Sequence, residues 1–140
     1  MNQHIVSSIE QLSLVAKSLL NFKNDCKIFI LNGEPGAGKT TFVKNIAQQL
    51  GCTEEITSPT YSIVNEYAAN EMAIYHFDLY RMESYEEILD IGFWEYFDDN
   101  AFVFIEWADL VISELDKYVI ININTLANES RVVSFEAVGF

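Results

Sequence analysis

Ile28-Phe29-Ile30-Leu31-Asn32-Gly33-Glu34-Pro35-Gly36-Ala37-Gly38-Lys39-Thr40-Thr41 decides the fold of this 140-residue chain. From Gly33 to Thr40 it meets every fixed position of the phosphate-cradling pattern G-x-x-x-x-G-K-[ST]. The wholly apolar run Ile28–Leu31 reads as the short strand of a buried parallel sheet. After the loop, Phe42, Val43, Ile46, Ala47 and Leu50 recur at helical spacing, and Gly51 is placed to end the helix. Strand, glycine-rich turn and helix, in that order, are the setting in which this motif binds a nucleoside polyphosphate. The bland alternative is a glycine-rich strand-to-helix turn with no ligand.

The residue types carry the chemistry. Gly33, Gly36 and Gly38 lack Cβ, which lets the backbone reach positive φ and bring its N–H groups to phosphate oxygens; Pro35 and Ala37 complete the loop. Lys39 supplies a compact positive charge between the β- and γ-phosphates, the Thr40 hydroxyl is placed to ligate Mg²⁺, and Thr41 stands on the α-phosphate side. The helix from about Lys39 to Leu50 adds the partial positive charge of its N-terminus.

A phosphate loop needs a carboxylate at the end of a neighbouring strand, to hold magnesium directly or through water. Phe102-Val103-Phe104-Ile105-Glu106 offers four apolar residues and then an acid. Glu106 is one methylene longer than the commoner Asp; an ordinary strand-end acid is the competing reading. Trp107 reads equally as rim packing or as an aromatic at the site. Asp78, within His76-Phe77-Asp78-Leu79-Tyr80-Arg81, is a third candidate, as a base, a water-orienting group or part of the metal's surroundings. His76 reads as a core or interface histidine, and Arg81, with Glu83, Glu86 and Glu87 nearby, as half of a structural ion pair. Ser58-Pro59-Thr60 reads either as a polar turn or as a nucleotide-sensing switch loop.

Around these motifs, Ser8 to about Leu20 reads as an amphipathic helix with Ile9, Leu12, Ala16, Leu19 and Leu20 on one face. Ser8/Gln11 and Ser84/Glu87 form capping boxes. Ser62–Tyr67 and Glu71–Phe77, joined by Ala68-Ala69-Asn70, read as an antiparallel hairpin, and Tyr118–Ile123 with Arg131–Val138 as another. Ala101–Ile105 is a central strand. The sum is a three-layer α/β, P-loop NTPase-like domain with a mixed central sheet, a single domain over residues 1–140.

Half of the residues are hydrophobic, enough for one core. No secretion signal or transmembrane run is visible, so a cytoplasmic protein is expected, with Cys26 and Cys52 as reduced thiols. Net charge is −13, with eight scattered Lys and Arg. That leaves no basic face for direct, tight binding to nucleic acid, and an acidic surface suits solubility or docking onto a more basic protein.

In this order the motifs resemble the bacterial TsaE family, also called YjeE, the small ATPase of the machinery that makes threonylcarbamoyladenosine in tRNA. The matching segments are Gly33–Thr41, Ser58–Tyr61 with Glu66-Tyr67, His76–Arg81, Glu86-Glu87 through Gly92, Glu95–Phe97 and Ile105–Trp107. The resemblance implies ATP and Mg²⁺ as ligands, Lys39 and Thr40 at the triphosphate and metal, and Glu106 as the second metal-binding side chain. It further implies that Asp78 and Trp107 matter for hydrolysis, that the Ser58–Thr60 loop responds to nucleotide, and that Arg131 occupies a family position near the nucleotide. The implied partners are the two kinase-fold proteins of the threonylcarbamoyl-transfer complex, of TsaB and TsaD type, with no direct action on RNA. Glu34-Pro35 inside the loop and Asp109 depart from the family's usual residues without touching a fixed position.

The leading expectation is thus a slow, partner-dependent ATPase. A small-molecule kinase is the second class, but it would need more arginines to clamp the transferring phosphoryl group than Arg81 and Arg131. A nucleotide-gated binding module is the third. No N-K-x-D segment is present to read guanine, and the region Ser8–Gln11 is the one candidate for a base pocket.

Overall fold

The structure, a computed structural model, describes residues 2–22 and 26–140. Among them seven strands join in one sheet: β1 (Asn2–Val6), β2 (Ile28–Asn32), β3 (Val64–Ala69), β4 (Met72–Asp78), β5 (Ala101–Glu106), β6 (Tyr118–Thr125) and β7 (Arg131–Val138). Their spatial order is β1-β7-β6-β2-β5-β4-β3. The apolar strands β2, β4, β5 and β6 run parallel in the middle, while β3, β7 and β1 add antiparallel edges. The sheet is mixed: the inner strands β2 and β5 are apolar up to their last residue, as burial on both faces requires, and the antiparallel strands enter at the edges.

Helices α1 (Ile9–Phe22) and α2 (Lys39–Gln49) cover one face, where Leu12, Val15, Ala16, Leu19, Phe42, Val43, Ile46 and Ala47 pack on Phe29, Leu31, Phe104 and Phe135. The other face is closed by α3 (Tyr85–Asp90) and three short 3-10 turns, through Ile88, Phe93, Ala108 and Val111 packed on Ile30, Phe77, Val103 and Ile105. Three layers result. A polar strap joins the two helices of the first face: Ser13 Oγ donates to Asn45 Oδ1 at 2.6 Å, Asn45 Nδ2 donates to the Thr41 carbonyl at 3.0 Å, and Gln49 Nε2 donates to the Ser13 carbonyl at 2.7 Å.

Both capping boxes form, each with a shift. Ser8 Oγ accepts from the Gln11 N–H and Ser84 Oγ from the Glu87 N–H, but the return bonds reach one residue further back, from the N–H groups of Ser7 and Glu83. The buried stripe of α1 is Leu12, Val15, Ala16 and Leu19; Ile9 sits at the open first turn, 68 % exposed, so it does not belong to the core face. Strand β1 was not foreseen, because Asn2–Val6 is short and shows no clean alternation. The first hairpin turns at Asn70-Glu71 instead of Ala68–Asn70, since Asn70 takes the left-handed conformation (φ 56°) that Asn tolerates. Cys26 and Cys52 are buried and form no disulfide.

Glycines at the end of β2 serve two different needs. Gly36 and Gly38 do have positive φ, 83° and 103°. Gly33 does not; there, a Cβ would stand 2.7 Å from the carbonyl oxygen of Ile123 on β6. The first glycine of the loop is required by close packing of the neighbouring strand and not, as its place in the motif suggests, by a left-handed backbone. Gly33→Ala is expected to destabilise the fold by about 1–3 kcal/mol through overpacking, seen as a lower urea midpoint at unchanged slope. A wild-type midpoint would show that β6 yields freely.

Candidate functional site

Strand alternation selects the side chains that meet beneath α2. Successive residues of a strand point to opposite faces. On β4 the residues Ile74, His76 and Asp78 therefore share a face, as do Phe102, Phe104 and Glu106 on β5, and Ile74 and Phe104 fix that face as the one covered by α1 and α2. β4 and β5 are parallel, with Asp78 opposite Glu106 and His76 opposite Phe104. Two acids thus end adjacent strands on the same side, next to β2, whose C-terminal end releases the glycine loop. Crevices at the carboxyl ends of parallel strands are where open α/β sheets bind ligands.

The loop delivers Lys39 to those acids. Its Nζ lies 3.6 Å from Glu106 Oε1 and also donates to the Gly33 carbonyl. The N-cap of α2 is Gly38, which offers no side-chain cap to the first-turn N–H groups. Those uncapped donors and the helix dipole make an anion site. Arg131, reaching from the start of β7, donates from Nε to the Ala37 carbonyl at 2.8 Å and from its terminal nitrogens to the carbonyls of Gly36 (3.5 Å) and Glu129. It braces the outer side of the loop while keeping its charge there.

A cavity of about 850 Å³ is lined by Pro35, Gly36, Gly38, Lys39, Thr40, Thr41, Ser58, Thr60, Asp78, Tyr80, Glu106, Trp107 and Arg131. The sequence-derived candidates converge on it with two exceptions. Gly33 lies behind Lys39, and Ala37 is buried with its carbonyl turned to Arg131. Ser58 and Thr60 share a 2.7 Å hydroxyl–hydroxyl hydrogen bond at the rim. Asp78 is buried, its Oδ1 accepting from the Tyr80 N–H at 3.0 Å. Trp107 adopts a left-handed backbone (φ 57°), stays half exposed, and packs its ring 4.7 Å from that of Tyr80. A smaller cavity of 240 Å³ adjoins through Gly38, Thr41 and Arg131, and Ser8, Ile9 and Leu12 form its far wall.

Two readings from the sequence are corrected. Arg81 makes no ion pair with Glu83, Glu86 or Glu87; its guanidinium lies over the Tyr61 ring, 4.8 Å from the centroid, because the chain brings the Ser58–Tyr61 loop across it. His76 is in the core, as expected, but it is also part of the site: its Nε2 lies 2.6 Å from Glu106 Oε2. The signal was its spacing of two from Asp78, which puts both on one face; its partner on β5 depends on a register that one sequence does not state. Tyr80, which no motif singles out, lines the cavity and its N–H fixes Asp78.

The donor set fits a hard divalent cation beside a polyphosphate. Asp78 and Glu106 are 7 % and 6 % exposed; Lys39 pairs with Glu106, while Asp78 accepts from the Tyr80 N–H. Among the described residues no three His, Cys, Asp or Glu side chains are grouped to hold a metal alone. Magnesium uses such incomplete sites, taking one or two carboxylates or hydroxyls together with phosphate oxygens and water.

Comparison with known proteins agrees with this geometry. Residues 6–133 match the family model described as threonylcarbamoyl adenosine biosynthesis protein TsaE. The chain is 37 % identical over 131 residues to the tRNA threonylcarbamoyladenosine biosynthesis protein TsaE of Bacillus subtilis, covering 93 % of this chain and 82 % of that protein. It is 33 % identical over 139 residues to the TsaE of Rickettsia prowazekii, covering 98 % and 96 %. The crystal structure of YdiB from Bacillus subtilis superposes with a TM-score of 0.70 at 29 % identity, over 99 % of this chain and 86 % of that one, in keeping with the P-loop NTPase-like fold. With a phosphate loop, two buried strand-end acids and this likeness along nearly its whole length, the chain belongs to the TsaE family of tRNA threonylcarbamoyladenosine biosynthesis proteins.

Proposed function

We propose that this chain is a magnesium-dependent ATPase that supports threonylcarbamoyladenosine modification of tRNA through partner proteins. The observation that carries the reading is the convergence of Lys39, Thr40, Asp78 and Glu106 on one cavity, at the N-terminus of α2. In it Lys39 and the uncapped N–H groups of the loop and α2 receive the triphosphate, with Thr41 on the α-phosphate side. Thr40 and Glu106 would hold the magnesium, which supplies charge neutralisation on the phosphate oxygens when bound. Asp78, fixed by the Tyr80 N–H, orients the attacking water. The adjoining cavity against Ser8 and Ile9 is the place we assign to the base, and Arg131 stands where the two cavities meet.

Ser58 and Thr60 face the same cavity from an exposed loop, which supports a role in sensing the nucleotide. Their neighbour Tyr61 is the most exposed large hydrophobic side chain among the described residues, 84 %, and carries Arg81 stacked on it. We read these features as coupling nucleotide state to docking on the two kinase-fold partners, of TsaB and TsaD type. One sheet running from β1 to β7 supports reading the chain as a single domain. A role in tRNA modification supports reading the protein as cytoplasmic, and no described helix is long and apolar enough to cross a membrane. A kinase acting on a small molecule is less well supported, because Arg81 is stacked on Tyr61 and Arg131 is bound to loop carbonyls.

Phosphate release, measured with and without the partner pair, tests the reading. Glu106→Ala is expected to lose about 100-fold or more of the partner-dependent rate; equal rates for variant and wild type would count decisively against it. Asp78→Asn should lower kcat by a similar factor while ATP affinity, measured by titration calorimetry, stays near wild type. Loss of affinity with kcat retained would instead make Asp78 a binding group.

A further inference from the structure

Glu106 is held from two sides, and one of its two partners lies outside the cavity. His76 is fully buried on β4, its Nε2 2.6 Å from Glu106 Oε2, while Lys39 Nζ approaches the other oxygen, Oε1, at 3.6 Å. The ring's Nδ1 is also buried and has no hydrogen-bond partner among the described residues. A hydrogen there would be a donor without an acceptor in the protein interior, which is costly. The geometry therefore puts the hydrogen on Nε2, where Glu106 accepts it.

A histidine kept only for packing would not leave one nitrogen unsatisfied among Ile74, Phe104 and the other apolar residues of this face. An apolar side chain would fill the space at lower cost. What the imidazole adds is one directed N–H, and that N–H is spent on a carboxylate.

We propose that His76 is a positioning residue for Glu106. As the Nε2–H tautomer it ties Oε2 back into the core, so that Oε1 is the oxygen presented to Lys39 and the cavity. A glutamate has three rotatable bonds, and a second anchor removes the freedom that would otherwise let Oε1 swing away. This inference rests on the reading of Glu106 as the magnesium-facing carboxylate.

Two substitutions with the same chemistry and different reach separate positioning from packing. His76→Gln carries an amide N–H to about where Nε2 stands; His76→Asn stops near Nδ1 and does not reach Glu106. Both bury an amide, so their stabilities should be alike. The readout is calorimetric titration of ADP with and without Mg²⁺, using the full chain. Wild type and His76→Gln are expected to gain affinity when Mg²⁺ is added, that gain should shrink about tenfold or more in His76→Asn, and metal-free ADP binding should be the same in all three. A full magnesium gain in His76→Asn, alongside its loss in Glu106→Ala, overturns the role of His76 and leaves the magnesium site standing. A full gain in Glu106→Ala overturns the reading of the site itself. Nitrogen NMR of the metal-free wild type, whose two histidines are His4 and His76, should show His76 as the Nε2–H tautomer; an Nδ1–H form would refute the proposal without any variant.

Discussion

Two carboxyl groups buried side by side at the ends of neighbouring strands constrain this whole molecule. Asp78 and Glu106 end neighbouring parallel strands in register, about 4.8 Å apart as strands lie in a sheet, and Lys39 is the cation within reach. Burying a charge is tolerated when it is paired or coordinates a metal. Lys39, delivered from the loop, answers that requirement at Glu106, while Asp78 lines the open cavity beside it. The uncapped start of α2 works in the opposite sense, since its partial positive charge calls for an anion. On the function proposed above, a metal–polyphosphate unit would meet both demands at once.

The backbone is bent to keep this arrangement. Two residues that are neither Gly nor Asn take positive φ beside the acids: Ile63 at 71°, and Trp107, directly after Glu106, at 57°. A side chain held there costs on the order of 1–3 kcal/mol, and for a β-branched isoleucine the conformation is uncommon. Hydrogen bonds at both places offset the strain. The Ile63 carbonyl accepts from the Asp78 N–H at 2.7 Å, and the Glu106 carbonyl accepts from the Leu79 N–H at 3.1 Å. The first bond ties Ile63 to the strand end that carries Asp78, and the second holds the carbonyl that directly precedes Trp107. The bend after Glu106 also brings the Trp107 ring beside Tyr80 at the mouth of the cavity.

What the sequence revealed divides along the range of the interaction. The phosphate loop, the strand before it and the helix after it are local, so fixed spacing and hydrophobic period expose them directly. Glu106 was legible for the same reason, as an acid closing an apolar run. The edge strand β1 was not, because its pairing with β7 lies more than a hundred residues away and its own residues carry little pattern. Arg81 was misread because three acidic neighbours in sequence suggested a pair that the fold does not make; the Tyr61 ring that receives it is set by the loop's path. His76 shows the limit most clearly. Its face is fixed by alternation with Asp78, yet its hydrogen bond crosses to another strand at a diagonal that only register defines.

Glutamate at position 106, where a shorter aspartate is commoner for such a strand-end acid, acquires a physical reason from this geometry. Its two oxygens are divided between partners on different elements, Lys39 at the start of α2 and His76 two residues back along the neighbouring strand. An aspartate at the same Cα would stop one methylene short, so keeping one contact would pull the other out of range. The extra methylene therefore serves span, and the freedom it adds is removed by the second anchor. A longer acid and a buried histidine then form one device: the histidine makes the longer side chain as well placed as a shorter one, while the longer side chain keeps contact with a lysine that must also reach the Gly33 carbonyl.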